Sequence, residues 1–334
     1  MSEEIKIVKA DASHYDDVKR IMVQAWTPIR KSKHERIGED IASFNAVGDW
    51  KENQFSTIKE RIDAGCGYVA LVDANVAGFV TYRDADSIGD MIQIGYNAVD
   101  TSYKGRGLGT KMYDLVLGEA KKNGYKYARV HTDLDDNHAP ARRSYAKAGF
   151  DRGLEEIIYY MHLDKRPDVK VNEDVVMVPA TEKHLDEILK ITVAAWTPIY
   201  DLRKKLLGEQ LHKRLFTGWE IPKCESVKKA VLANEVYAAM LNGKVVGFIT
   251  VRISGPNGEM LTLCNNAVNP EYAGKGIGSA MYKFVLDKAQ ENGAKYASVH
   301  TGLDDAHAPA RKAYERVGFD RNTSIGSVNY YQMF

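Results

Sequence analysis

Hydrophobic and polar positions recur in the same order in the two halves of this chain. Alternating or richly apolar segments predict strands, and apolar residues three and four positions apart predict helices. The predicted strands are residues 5–8, 68–72, 77–82, 91–99 and 127–132, with counterparts at 175–178, 237–241, 245–251, 260–268 and 296–301. The clearest predicted helices are residues 107–123 and 139–148, with counterparts at 276–292 and 308–317. Each half therefore follows the order β, α, α, β-β-β, α, β, α, β, which indicates a mixed α/β sandwich.

A repeated sequence, Ala-Trp-Thr-Pro-Ile, lies in the first helical segment of each half. It places Pro28 and Pro198 at corresponding positions. Because the residue before a proline disfavours helical geometry, we expect each proline to end its helix or to bend it sharply.

The second half copies part of the first. Residues 97–152 reappear as residues 266–321, with roughly 33 of 56 positions identical and no gap. A chain of 334 residues also fits two domains better than one. We therefore predict one domain at 1–164, a charged, proline-containing linker at 165–173, and a second domain at 174–334.

Composition narrows the function classes. The chain is 44% hydrophobic and 27% charged, as soluble globular proteins are, and its net charge of +1 does not favour nucleic acid or anionic membranes. The acidic amino terminus predicts no signal peptide, and no apolar run is long enough to span a membrane. Cys66, Cys224 and Cys264 show no paired spacing, which favours free thiols. We predict a cytoplasmic protein without nucleic-acid or membrane partners.

Two glycine-rich turns join a strand to a helix and are candidates for binding phosphate. Alternate glycines leave backbone amides uncovered, and a helix amino terminus adds unpaired N–H groups and partial positive charge. The pattern is neither a Walker A loop nor the dinucleotide G-x-G-x-x-G. A tight turn with glycines for packing is the alternative. The candidate phosphate-binding residues are Lys104, Gly105, Arg106, Gly107, Leu108, Gly109 and Thr110, and in the second half Gly274, Lys275, Gly276, Ile277, Gly278 and Ser279.

A second shared sequence follows downstream of each turn. His138-Ala-Pro-Ala-Arg-Arg-Ser-Tyr145, followed by Gly-Phe, is matched by His307-Ala-Pro-Ala-Arg-Lys-Ala-Tyr314, again followed by Gly-Phe. The turn and this helix together resemble the GCN5-related N-acetyltransferase (GNAT) superfamily, in two tandem copies. The resemblance implies the GNAT fold and acetyl-coenzyme A as co-substrate, with the turn on its pyrophosphate. His138 and His307, where the family prefers Asn, would complete the coenzyme site.

The resemblance also implies roles around the thioester. Backbone groups of a splayed strand would bind the pantetheine arm and the carbonyl oxygen, where they would stabilise an oxyanion. Tyr145 and Tyr314 would donate a proton to the departing thiolate, although a buried tyrosine packing on the sheet is the alternative. The strand positions are Asn97, Ala98 and Val99 in the first copy and Asn266, Ala267 and Val268 in the second.

Other candidates stay open. His131 and His300 have a suitable intrinsic pKa for a general base, but each could be a core histidine, and a carboxylate acting through water is a further option. Residues 133–138 could ligate a metal or cap a helix, and since the second copy lacks two of these side chains we predict no metal. Trp26 and Trp196 lie where the family builds its acceptor pocket, or they belong to the core.

Together these features predict an acetyl-coenzyme A-dependent N-acetyltransferase that acts on a primary amine of a small molecule or peptide. Neither motif holds a nucleophilic cysteine, which favours direct attack in a ternary complex. The alternative is an acyl-coenzyme A-binding regulator with one or both copies inactive. We expect both copies to bind the coenzyme, and the first more tightly, because Ala273 replaces Lys104. The two halves could also pack as a pseudo-dimer.

Overall fold

The computed structural model describes residues 4–44 and 48–334. Residues 1–3, on which the predicted lack of a signal peptide partly rests, lie outside this range. The helices are α1 (Tyr15–Ile37), α2 (Glu39–Phe44), α3 (Trp50–Asp63), α4 (Leu108–Lys122), α5 (Ala139–Lys147), α6 (Leu185–Leu207), α7 (Glu209–Phe216), α8 (Glu220–Leu232), α9 (Ile277–Glu291) and α10 (Ala308–Arg316). None of these helices combines the length and apolar character needed to cross a membrane.

Twelve strands are found among the described residues. They are β1 (Ile5–Lys9), β2 (Gly67–Val72), β3 (Asn75–Asp84), β4 (Met91–Val99), β5 (Tyr127–Asp133), β6 (Arg152–His162), β7 (Val176–Pro179), β8 (Val236–Leu241), β9 (Lys244–Ser254), β10 (Met260–Val268), β11 (Tyr296–Gly302) and β12 (Ser324–Met333). The contacts divide the chain into a first unit, residues 1–153 with 326–334, and a second unit, residues 154–325.

Each unit contains a mixed sheet, as predicted. The strand order is β1-β2-β3-β4-β5-β12 in the first unit and β7-β8-β9-β10-β11-β6 in the second. Neighbouring strands are antiparallel except β4 with β5 and β10 with β11, which are parallel. The parallel pairs are joined by α4 and α9, as a crossover connection requires.

The two copies exchange their last strands. β6 lies at the end of the first copy in sequence but pairs with β11, and β12 ends the second copy but pairs with β5. The pairings use the same register, because Glu156 lies opposite Gly302 and Ser327 lies opposite Asp133. The units defined by contacts thus differ from the predicted domains in their last strands, while the boundaries 1–164 and 174–334 stay a prediction about the sequence repeat.

Apolar side chains cover both faces of each sheet. In the first unit, α4 and α5 bury residues such as Met112 and Val116 on one face, while α1 and α3 bury Ile21 and Ile58 on the other. Two equivalent clusters surround the second sheet. Each unit is therefore a helix–sheet–helix sandwich, the architecture that the hydrophobic pattern predicts.

The prediction that each proline ends its helix is wrong, while the alternative of a sharp bend stays a prediction. α1 and α6 are each 23 residues long, and they run through Pro28 and Pro198. A proline removes the bond to the carbonyl four residues earlier. The threonine before each proline does not replace that bond, because it binds the carbonyl one residue further back: Thr27 Oγ1 donates to the carbonyl of Val23 at 2.7 Å and Thr197 Oγ1 to that of Val193 at 2.8 Å. Buried residues on either side of the proline anchor both parts of each helix.

Candidate active site

The glycine turns adopt left-handed backbone conformations that leave one side of the chain open. Gly105 and Gly107 have φ of 82° and 75°, and Gly274 and Gly276 have φ of 77° and 76°, all in the left-handed region that favours glycine. A Cβ built on Gly105, Gly107 or Gly274 would meet no atom within 4 Å. The turns are therefore open on the side that a ligand would approach, and the first amides of α4 and α9 lie beside them.

Two cations flank these turns. The guanidinium of Arg106 lies 5.0 Å from the ring centre of Tyr103, and Nζ of Lys275 lies 4.7 Å from that of Tyr272. In the second unit the predicted linker also takes part, since Asn172 Nδ2 donates to the carbonyl of Lys275 at 3.0 Å. Coenzyme binding by these residues stays a prediction.

β4 and β10 separate from their parallel neighbours beside the turns. The register with β5 ends at Ile94, and the register with β11 ends at Leu263. The following residues include Asn97–Val99 and Asn266–Val268, for which binding of the pantetheine arm stays a prediction. Their amides have no strand partner on that side in the described register, so they are available to a ligand.

The side chain of the strand asparagine holds two tyrosine hydroxyls. Asn266 Oδ1 accepts from Tyr282 at 2.8 Å and from Tyr314 at 3.0 Å. In the first unit Asn97 Oδ1 accepts from Tyr113 at 2.7 Å and from Tyr145 at 3.3 Å. The sequence analysis missed Tyr113 and Tyr282, although both copies keep them at the same place after the glycine turn.

Burial fixes the protonation state of these phenols. Tyr145 and Tyr314 are each 3% exposed, and desolvation raises the pKa of both hydroxyls despite the bonds to asparagine and the second tyrosine, which act in the opposite direction. Both phenols therefore remain protonated near neutral pH and can donate a proton.

The predicted coenzyme histidines support the loop before α5 and α10. His138 Nδ1 lies 2.8 Å from Asp135 Oδ2, and His307 Nδ1 lies 2.8 Å from both carboxylate oxygens of Asp304. Asp135 also accepts from the amide of His138, so it serves as a helix cap. Asp133, Asp135 and His138 place possible ligand atoms within 4.8 Å of one another, and the prediction of no metal is untested.

A cavity of about 820 Å³ opens in the second unit, and we call it the second-unit cavity. Its walls come from the glycine turn, β10, β11, α6, α8 and α10. The lining includes Trp196, Arg203, Lys223, Asn266, Gly276, Ser279, His300 and Tyr314. The candidate phosphate-binding turn, the buried phenol of Tyr314 and a candidate base thus share one space.

Two stretches of the chain, residues 27–150 and 197–319, match the Acetyltransferase (GNAT) family. They cover more than half of the 334 residues. The chain belongs to the GNAT acetyltransferase family.

Relatives and solved structures agree with this assignment. A mycothiol acetyltransferase from Clavibacter sepedonicus is 24% identical over 247 residues, 73% of this chain and 72% of that protein. An S-(2-succino)cysteine N-acetyltransferase from Bacillus subtilis (strain 168) is 25% identical over 148 residues, 43% of this chain and 82% of that protein. A GCN5-related N-acetyltransferase structure from Sphaerobacter thermophilus is 12% identical with a TM-score of 0.54 and covers 98% of this chain and 95% of that chain. That structure supports the fold alone.

The two GNAT copies differ at the candidate base. In the second unit His300 Nε2 lies 3.2 Å from Glu156 Oε2, and both residues line the second-unit cavity. In the first unit His131 Nδ1 lies 3.3 Å from Asn329 Oδ1 instead. Glu156 reaches His300 because β6 occupies the edge beside β11. No sequence pattern indicated this pair, since its members come from different copies.

The copies also differ where a GNAT protein would bind its acceptor. In the first unit Arg61 lies over Tyr96, with 5.1 Å between guanidinium and ring centre, and fills the space that a Cβ on Gly95 would take. Trp26 packs on Tyr96 and Phe79 at 6.2 and 6.3 Å. The equivalents of Arg61, Gly95 and Tyr96 in the second copy are Ala230, Cys264 and Asn265. This region is therefore filled in the first unit.

Trp196 lines the second-unit cavity, while its ring stacks on Phe248 with centres 6.5 Å apart. It therefore belongs both to the wall and to the core. Pro198 provides no amide for the carbonyl of Ala194, and both residues also line the cavity. The carbonyl of Ala194 therefore lacks the amide donor that an α-helix normally supplies four residues later.

Proposed function

We propose that this GNAT protein transfers an acetyl group from acetyl-coenzyme A to a primary amine of a small molecule or peptide, and that the second unit carries out the transfer. The observation that carries the proposal is the second-unit cavity, in which the glycine turn, Tyr314 and the His300–Glu156 pair share one lining. A relative named as an N-acetyltransferase supports nitrogen as the acceptor atom.

Each residue has a defined task in this proposal. The turn from Gly274 to Ser279 holds the diphosphate, and amides after Leu263 on β10 stabilise the oxyanion that develops as the amine attacks. His300 removes the proton of the attacking amine, and Glu156 stabilises the imidazolium that results. Tyr314 donates its proton to the departing thiolate.

The one cysteine in the described cavity lining does not favour a covalent intermediate. Cys264 lines the cavity, but desolvation raises the pKa of its thiol, which keeps it protonated. A protonated thiol is a weak nucleophile. Direct attack by the amine in a ternary complex is therefore the mechanism we propose, and Cys264→Ala should leave turnover unchanged.

The test is release of coenzyme A thiol from acetyl-coenzyme A in the presence of a panel of primary amines, with the products identified by mass. We expect amine-dependent release and a product heavier by one acetyl group. The Glu156→Gln and His300→Asn variants should release thiol more slowly, with unchanged binding of the coenzyme.

The regulator alternative makes a different prediction in the same experiment. Coenzyme binding measured by calorimetry, without release for any amine at millimolar concentration, would overturn the proposal in favour of that alternative. We also retain the prediction that both units bind the coenzyme and that the first binds it more tightly, because Ala273 cannot supply the contact that Lys104 offers.

A further inference from the structure

Two cations lie on the wall of the second-unit cavity that α6 and α8 form. Lys223 of α8 has its Nζ 4.7 Å from the ring centre of Trp196 and donates to Asn265 Oδ1 at 3.1 Å. Arg203 of α6 lies against the rings of Tyr200 and Phe216, with its guanidinium 5.2 and 5.3 Å from their centres. Aromatic rings thus position both charges without neutralising them.

No carboxylate among the described residues forms an ion pair with Arg203 or Lys223. Nε of Arg203 is buried and has no described hydrogen-bond partner. Glu156, the one carboxylate in the described lining, pairs with His300. Asp304 is close enough for Arg203 to contribute to its lowered pKa, but its carboxylate is held by His307.

The two cations repel each other. Burial, and secondly the charge of Arg203, lower the pKa of Lys223 to about 8. Burying like charges without a counter-ion is unfavourable, and an anion placed between them removes both the repulsion and the unpaired donors. The arrangement is therefore suited to a negatively charged ligand.

The fold does not require this pair. α1 and α6 have the same length, and the residue of α1 that is equivalent to Arg203 is the exposed Lys33. Ile58 and Val227 are buried at equivalent places, which aligns Gln54 of α3 with Lys223. The first unit thus packs the equivalent helices without a cation at both positions. Because packing does not explain the Arg203–Lys223 pair, we assign the pair to the site of the second unit.

We propose that Arg203 and Lys223 bind a carboxylate of the acceptor, so that the substrate is an amine of the amino-acid class. This inference rests on the proposed function. The planar guanidinium matches a carboxylate, and the ammonium adds a second charged donor. Trp196, which lines the same cavity, suits an apolar side chain of the substrate. The carbonyl of Ala194, to which Pro198 can donate no amide, can accept a hydrogen bond from the amine.

Binding is the first test, because it does not depend on turnover. Amino acids and their carboxamides, which differ only in the carboxylate, are titrated into the full chain saturated with coenzyme A, and heat is measured by calorimetry at pH 7. We expect at least one amino acid to bind about 10- to 100-fold more tightly than its carboxamide, as charged hydrogen bonds allow. Equal affinities throughout the panel would overturn the inference.

Variants locate the effect. Arg203→Met and Lys223→Met should each remove most of the preference for the carboxylate and leave carboxamide binding unchanged, which a misfolded protein could not do. The matched control is Lys33→Met with Gln54→Met in the first unit, and it should retain the full preference. If the double variant Arg203→Met/Lys223→Met keeps the preference for the carboxylate, this assignment is refuted.

Turnover separates this inference from the proposed function. If the preferred amino acid binds but no amine is acetylated, the proposed transfer fails and the carboxylate site stands. If amines without a carboxylate are acetylated more efficiently than their amino-acid counterparts, the transfer stands and the carboxylate site fails.

Discussion

At the scale of single residues, one amide organises the chemistry of each copy. Asn266 accepts from both Tyr282 and Tyr314, so the hydroxyl of Tyr314 has a fixed direction as well as a raised pKa. Asn97 does the same for Tyr113 and Tyr145. Because both units retain this network, the proposed proton donor does not distinguish them, and the proposal that the second unit is active depends on other residues of its cavity.

Removing the phenol tests this assignment. Tyr314→Phe should lower kcat by about 10²-fold, the contribution typical of a general acid, with little change in KM for acetyl-coenzyme A. Tyr282 still bonds to Asn266 in this variant, so the melting temperature should change little. Steady-state kinetics on Tyr145→Phe provide the comparison, and a larger loss of kcat there would place the transfer in the first unit.

The charge of Lys223 leads to a pH dependence. Its pKa is lowered to about 8, so the ammonium is charged below that pH and neutral above it. Inhibition by 3-phenylpropanoate, a carboxylic acid without an amine, should therefore weaken above pH 8 by up to about tenfold per pH unit. Lys223→Met should bind it weakly and without this dependence.

Other groups that face the same cavity provide the control for this profile. Besides Lys223 and Arg203, the titratable side chains of the lining are Glu156, Cys264, Tyr272, Tyr282, His300, His307, Lys312, Tyr314 and Arg316. His300→Asn should keep the inflection near pH 8. An unchanged inhibition constant from pH 7 to pH 10 in the unaltered protein would contradict the role of Lys223.

At the scale of elements, the start of α9 combines a left-handed glycine with an uncovered helix terminus. Gly276 precedes the helix with φ of 76°, and Gly107 precedes α4 with φ of 75°. A side chain at either position destabilises that backbone conformation and covers amides that would face a phosphate. The same change can therefore be made separately in each copy.

We expect Gly276→Ala to weaken coenzyme A binding to the second unit and to lower turnover. An alanine in the left-handed conformation costs about 1–2 kcal/mol. If coenzyme binding must supply this free energy to form the turn, the affinity falls about 5- to 30-fold. Calorimetry should show one site weakened while the other is unchanged. Gly107→Ala should weaken coenzyme binding at the other site and leave turnover unchanged. If both sites of Gly276→Ala bind the coenzyme as tightly as the unaltered protein does, the turn has no part in coenzyme binding.

The sequence predicted these elements well where local chemistry determines them. The mixed sheet and the glycine turns before α4 and α9 follow from short patterns repeated in both copies. The sequence failed to predict that α1 and α6 continue past Pro28 and Pro198, because buried residues on both sides of each proline hold the helix in place despite one lost backbone bond. It could not predict the His300–Glu156 pair or the cations of the cavity, because these depend on which strands and helices meet in space.

At the scale of the whole molecule, the exchange of last strands decides which side chains reach each site. β6 supplies Glu156 to the second unit, although it is encoded with the first copy. In the equivalent register β12 places Ser327 beside β5. A second copy that used its own last strand would therefore have a serine where the present site has a carboxylate.

Dividing the chain at the predicted linker tests this dependence. Residues 174–334 alone should acetylate amines more slowly than the whole chain, because Ser327 would replace Glu156 beside His300. Adding residues 1–164 in a second polypeptide should restore activity if β6 and β12 exchange again, and the rate can be followed by thiol release. Full activity of residues 174–334 alone would show that Glu156 contributes nothing.

The exchange of β6 and β12 also affects how a duplicated gene of this kind can evolve. Once one repeat supplies a carboxylate to the site of the other, losing either repeat removes a strand that the remaining repeat needs. Gene fission or deletion would then be selected against even if only one repeat ever performs catalysis. The first repeat, in which Arg61 fills the space beside Gly95, would thus be retained for the strand that it donates.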